Sequence, residues 1–139
     1  MANHEFRMRL FARYADSENA IADLEVEVLT ESGWEMLDLD TRTAGFLLFV
    51  YTIFTCQHMY LRTNCAERGL VLESSAGTIE LIADDDWNIR QLHVAFKAVL
   101  QSGAPGPDDT AYIAGRMEQC PVSRNLARIP DTRVELQLD

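Results

Sequence analysis

The segment FRMRLFARY alternates along its length. Phe6, Met8 and Leu10 fall on one side, Arg7 and Arg9 on the other, the period-two pattern of a half-buried strand. DSEN, Asp16 to Asn19, reads as a turn. LEVEVL repeats the alternation, with Leu24, Val26 and Val28 inward and Glu25 and Glu27 outward. ESG, Glu31 to Gly33, is a second turn signal, and WEMLDLD supplies a third strand. Three short strands joined by tight turns predict an antiparallel meander. The period then changes. From about Phe46 to Arg68 there is neither proline nor glycine, and the run ends at Gly69, a residue suited to the left-handed position after a helix. One long helix is predicted there. It is apolar almost all round as far as Cys56, so it should be buried on several sides, and amphipathic beyond. The apolar part is too short for a bilayer, which takes about 20 residues.

Extended segments return at about Val71–Ser74, Thr78–Ala83 and Arg90–Leu100, with ADDDWN (Ala83 to Asn88) as an acidic hairpin turn. QSGAPGP, Gln101 to Pro107, is a loop. Asp108 should cap a second helix that reaches about Gln119, with Ile113, Ala114 and Met117 as its apolar stripe. Pro121 breaks this helix, and Ser123 can cap a short further turn. TRVELQL closes the chain as a strand, Val134, Leu136 and Leu138 inward. The order is β-β-β-α-β-β-α-β, an α+β class, in a single domain over residues 1–139 without repeat or linker.

Composition narrows the function. With 47% hydrophobic residues, 139 residues can bury a core without cross-links. A net charge of -10 at pH 7 argues against nucleic acid, which needs a basic patch, and against anionic membrane surfaces. MANHEFRMRLFAR has charges where a secretory signal would be apolar, so a cytoplasmic protein with reduced thiols is expected.

The candidate chemistry lies in the three cysteines. At about 100° per residue, Cys56 shares a helical stripe with Phe49, Ile53 and Tyr60, whereas Cys65 points to the opposite face. Cys120 continues the stripe of Ile113 and Met117. Cys56 and Cys120, one on each helix, are the pair that can meet. Two buried cysteines are commonly inert small hydrophobes. A metal site is disfavoured: no CxxC or HxxxH spacing is present, His58 lies about 200° from Cys56, His4 is near an end and His93 is on the polar side of its strand. There is no phosphate loop and no serine nucleophile elbow, and no cofactor is expected. The pair suits thiol redox chemistry, in which a thiolate becomes sulfenic acid and a second thiol converts it to a disulfide. That chemistry needs a thiol of lowered pKa, a neighbouring thiol and freedom for one sulfur to move. Pro121 contributes to the last, since it cannot donate the backbone hydrogen bond that would continue the helix.

CPVSRNLA (Cys120 to Ala127), combined with FTCQHMYLRTNCAERGL in the long helix, resembles the OsmC-like proteins, of which the organic hydroperoxide resistance enzymes are a branch. The likeness covers nearly the whole chain, the N-terminal third by strand pattern only. It implies an intertwined homodimer, with antiparallel sheets wrapped around two long central helices and active sites at the subunit interface. It implies that Cys56 is the peroxidatic thiol and Cys120 the resolving thiol of a two-cysteine, thiol-dependent peroxidase. The substrates would be organic or fatty-acid hydroperoxides, and the reductant a lipoyl-type dithiol. An arginine of the N-terminal strands activates the first thiol in such proteins; Arg13 is the best match and Arg9 the fallback. One departure stands out. Phe46 occupies the position, ten residues before Cys56, where peroxidase members have the glutamate that orients this arginine. Phe46, Phe49 and Ile53 would give the substrate pocket an apolar lining. Loss of that carboxylate also favours an alternative, a non-catalytic dimer that binds an apolar ligand or partner at the same interface pocket.

Overall fold

The computed structural model describes residues 3–126 and 129–139. Ala127, the last residue of the CPVSRNLA stretch, lies outside them. The N-terminal alternation produces β1, His4–Tyr14, with Met8, Leu10, Ala12 and Tyr14 buried and the residues between them exposed. β2 (Ile21–Thr30) pairs antiparallel with it, placing Leu24, Val26 and Val28 opposite Ala12, Leu10 and Met8. β3 is only Gly33–Met36. It is shorter than its sequence pattern predicts, because Asp40 turns the chain: Thr43 Oγ1 accepts from the Asp40 N–H at 2.9 Å and the Thr43 N–H returns to Asp40 O.

The long helix α1 runs Gly45–Glu67 and stops at Gly69, whose φ of 71° is the left-handed value expected there. The segments 71–74 and 78–83 are not separate. They form one strand, β4, Val71–Ala83. The break in apolar character comes from Ser75 and Gly77, both on the buried side. Gly77 is needed because the Phe96 ring lies over it; a Cβ there would sit 2.5 Å from that ring. β5 (Ile89–Ser102) extends two residues into the expected loop. α2 spans Pro107–Glu118. Its first turn contains Asp108, while the N-cap is Gly106, whose N–H donates to Asp109 Oδ2 at 2.8 Å. A 3₁₀ turn follows at Ser123–Leu126, and β6 is Asp131–Leu138.

The strands make one six-stranded sheet in the order β3-β2-β1-β4-β5-β6. All pairs are antiparallel except β5 with β6, which α2 connects as a parallel crossover. α1 lies on one face of this sheet, its Val50, Ile53, Phe54 and Leu61 packed with Met8, Leu10, Ile79, Leu81, Val94 and Phe96. α2 packs beside α1. Among the described residues, nothing packs as a layer over the other face of the sheet, which bears ion pairs such as Arg7–Glu80 and Arg9–Glu27. No helix among the described residues is long and apolar enough to cross a membrane.

Candidate active site

Cys56 sits at the start of the fourth turn of α1, partly exposed on the edge that faces the end of α2. Cys120 is fully buried and stands two residues beyond α2, continuous with buried Ile113 and Met117 as their shared stripe requires. Pro121 ends the helical hydrogen bonding as expected. The Met117 carbonyl is not left bare, because the chain tightens and the Cys120 N–H donates to it at 3.2 Å. The turn brings Cys120 beside Cys56, close enough for its thiol to act on the ionisation of Cys56.

The loop after Cys120 faces both sulfurs. The Ser123 N–H donates to Cys120 Sγ at 3.3 Å, and the Val122 backbone lies beside Cys56. Burial raises the Cys56 thiol above its ordinary pKa. The Val122 N–H opposes this, and the Cys120 thiol adds to it. No cation is among these influences. The lowered pKa expected of a peroxidatic thiol is therefore absent in the single chain.

The reason lies in strand parity. Ala12 and Tyr14 point inward from β1, so Arg13 between them points outward, onto the face away from α1. There it lines a hollow of about 480 Å³ with Phe11, Asp23, Leu24 and Glu25. Arg9 lies on the same face, paired with Glu27 at 2.9 Å and stacked 4.3 Å over Trp34. The sheet separates both arginines from Cys56 within one chain.

The expected pocket residues also divide. Ile53 is wholly buried against the sheet and is core, since a position three residues before a helix-edge cysteine turns toward the strands. Phe46 and Phe49 are half-buried and belong to an aromatic cluster, with ring centres 5.6 Å apart. Phe46 also meets Phe6 at 5.1 Å and Trp87 at 4.9 Å. Of the other candidate groups, Cys65 is fully buried at the far end of α1, its pKa pushed up to about 12 by burial and by Asp109. His58 lies under the sheet, linked to the Tyr14 hydroxyl at 2.7 Å; that hydroxyl also bonds Ser75. His93 is on the outer face beside Asp131. No group of three or more metal-ligating side chains occurs among the described residues.

No protein-family model and no curated protein matches the sequence. Solved structures do match the fold. An OsmC-like protein from Mycoplasma pneumoniae superposes with a TM-score of 0.53 at 7% identity, over 93% of this chain and 94% of that one. An OsmC-like hydroperoxide resistance protein from Jannaschia sp. CCS1 gives 0.58 at 11%, over 89% and 87%. A hypothetical protein from Aquifex aeolicus VF5 gives 0.60 at 7%, over 94% of each. The chain has the OsmC-like fold. Phe46, in the first turn of α1, closes an aromatic cluster with Phe6, Phe49 and Trp87.

Three residues of the site were not singled out in the sequence. Gln57, only 1% exposed, donates through Nε2 to Ser123 Oγ at 2.9 Å. Val122 contributes its N–H. Ser123, expected as a helix cap, instead receives Gln57 and approaches Cys120. The only signal for Gln57 is one amide beside Cys56 in an otherwise apolar half-helix.

Proposed function

We propose that the protein is a two-cysteine, thiol-dependent peroxidase for organic hydroperoxides. The observation that supports this most directly is the placement of the partly exposed Cys56 thiol beside the buried Cys120 thiol. One of the structures of the same fold is named a hydroperoxide resistance protein, which agrees with this reading. In the first step the Cys56 thiolate attacks the distal peroxide oxygen. The O–O bond breaks, the alkoxide takes a proton to leave as alcohol, and Cys56 becomes sulfenic acid. The Cys120 thiolate then attacks that sulfur, water leaves, and the disulfide remains for a dithiol to reduce. Cys56 is the peroxidatic thiol because it is the more exposed of the two; Cys120 resolves. Arg13 can take part only from a second copy of the chain in a homodimer.

The test is consumption of cumene hydroperoxide with dihydrolipoamide as reductant, followed by peptide mapping. One equivalent of hydroperoxide should yield a Cys56–Cys120 disulfide. Cys56→Ser should abolish turnover, since a hydroxyl is a far poorer nucleophile than a thiolate at neutral pH. Cys120→Ser should let Cys56 react once and stall as sulfenic acid. If both thiols stay free under excess hydroperoxide, the peroxidase reading fails. The second reading, a non-catalytic dimer that binds an apolar ligand or partner, is favoured by the raised Cys56 thiol and by Phe46 within the aromatic cluster.

A further inference from the structure

Gln57 is expensive where it stands. It is 1% exposed, its Nε2 has one partner and its Oε1 has none among the described residues. A buried amide with an unmet acceptor destabilises a fold, and leucine of similar size would not. What leucine could not do is hold the loop. Nε2 donates to Ser123 Oγ at 2.9 Å, a side-chain hydrogen bond between α1 and the loop. The rest of the loop is tied to itself: Arg124 N–H to Cys120 O at 3.0 Å, and Asn125 Nδ2 to Pro121 O at 2.6 Å. The loop is thus braced internally, and the Gln57–Ser123 bond ties it to the helix. Ser123 is also the residue whose N–H reaches Cys120 Sγ at 3.3 Å. Gln57 thus acts on the second sulfur from the position adjacent to the first.

We propose that Gln57 is a positioning residue that, through Ser123, holds the Cys120 loop against Cys56 and so sets the rate and equilibrium of disulfide closure. Its kinetic form rests on the peroxidase reading; its equilibrium form needs only the two thiols. The required geometry is narrow, since a disulfide needs Cα atoms about 5.5–6 Å apart. Freed from Gln57, the loop retains its internal bonds but spends less time at that separation.

The experiment compares Gln57→Leu and Ser123→Ala with their parent, all in a Cys65→Ala background so that two thiols remain. After one equivalent of cumene hydroperoxide, dimedone traps sulfenic acid and mass spectrometry follows the disulfide. In both variants, closure should slow about tenfold relative to the first oxidation, and trapped Cys56 should accumulate. The double variant should be no worse than either single one, because both changes cut one tether. A second arm needs no peroxide. Oxidation by diamide and equilibration with dithiothreitol should give a tenfold weaker disulfide, a potential about 30 mV higher. Thermal melting checks that the variants fold. A parent unreactive to hydroperoxide but with the shifted potential in its variants defeats the peroxidase reading and leaves Gln57's role standing. Unchanged closure and unchanged potential, or additive effects of the two changes, overturn the proposal.

Discussion

At the scale of single residues, the meeting of Cys56 with Cys120 was legible because helical geometry assigns faces by counting. The outward turn of Arg13 was legible by the same arithmetic, since it shares parity with Arg7 and Arg9; the family likeness pointed the other way. Gln57 was not legible, because a lone amide on a helix usually faces water and only its tertiary partner, Ser123, reveals it. Thiol labelling tests the resulting picture. Alkylation of Cys56 by iodoacetamide should keep rising with pH beyond the range of a free thiol, since its pKa is raised. Cys65, fully buried and at about 12, should stay unlabelled in the native protein, and Cys65→Ala should leave peroxide turnover intact. Arg13→Ala should leave the Cys56 pH profile in place; a shift to higher pH would mean that a second copy supplies the guanidinium. Buried His58 gives a stability prediction. Burial, with the Arg62 charge, lowers it from 6.5 to about 4. Between those values the unfolded chain binds more protons than the folded one, so stability falls as pH drops from 6.5 toward 4. The full difference is about 3 kcal/mol. Thermal melts at pH 7 and 4.5 should show this loss in the parent and a flatter response in His58→Gln.

At the scale of elements, both helices and most strands followed from periodicity, and the errors share a cause. β4 looked like two pieces because Ser75 and Gly77 interrupt its apolar side. Both are chosen by what lies above them: Ser75 bonds Tyr14, and Gly77 leaves room for Phe96. That ring is wedged between Phe54, at 5.5 Å, and His58, stacked at 5.7 Å, so it has little freedom to retreat. Gly77→Ala should therefore destabilise by about 1–3 kcal/mol despite better strand propensity, measurable by denaturant unfolding. The DSEN turn likewise read as surface punctuation, whereas Asn19 is fully buried. Its side chain donates to the carbonyls of Arg62 and Leu70 and accepts from the Leu72 N–H, joining the β1–β2 turn to the end of α1 and the start of β4. It also holds φ at 57°, a value asparagine tolerates better than most residues. Asn19→Ala deprives the buried Leu70 carbonyl and Leu72 N–H of their side-chain partner and should lower the melting temperature by more than any other change in that turn.

At the scale of the whole molecule, one layer is missing. A six-stranded sheet covers one side of α1 and α2 lies along another, yet Phe46, Leu47, Leu48, Phe49 and Tyr51 remain only half-covered by their own chain. Met59 is 43% exposed and Tyr112 41%, and Met36 on the edge strand is 61% exposed. A first half-helix that is apolar almost all round needs neighbours on more sides than one small chain offers. A second copy is the simplest source of that cover. We expect a homodimer burying well over the roughly 2,000 Å² at which obligate interfaces begin. Light scattering at micromolar concentration should give twice the 15.7 kDa chain mass. Leu48→Lys places a charge among the half-covered residues and should shift the mass toward the single chain. Phe46→Glu tests the same region differently. It removes a ring packed on Phe6, Phe49 and Trp87, so it should lower stability. It should not accelerate peroxide reduction if each chain works alone, because Arg9 and Arg13 of that chain lie on the other face of the sheet. Acceleration in a dimer, lost when Leu48→Lys separates the copies, would show that the guanidinium comes from across the interface. A chain that scatters as a monomer would remove both the dimer and any role for Arg13.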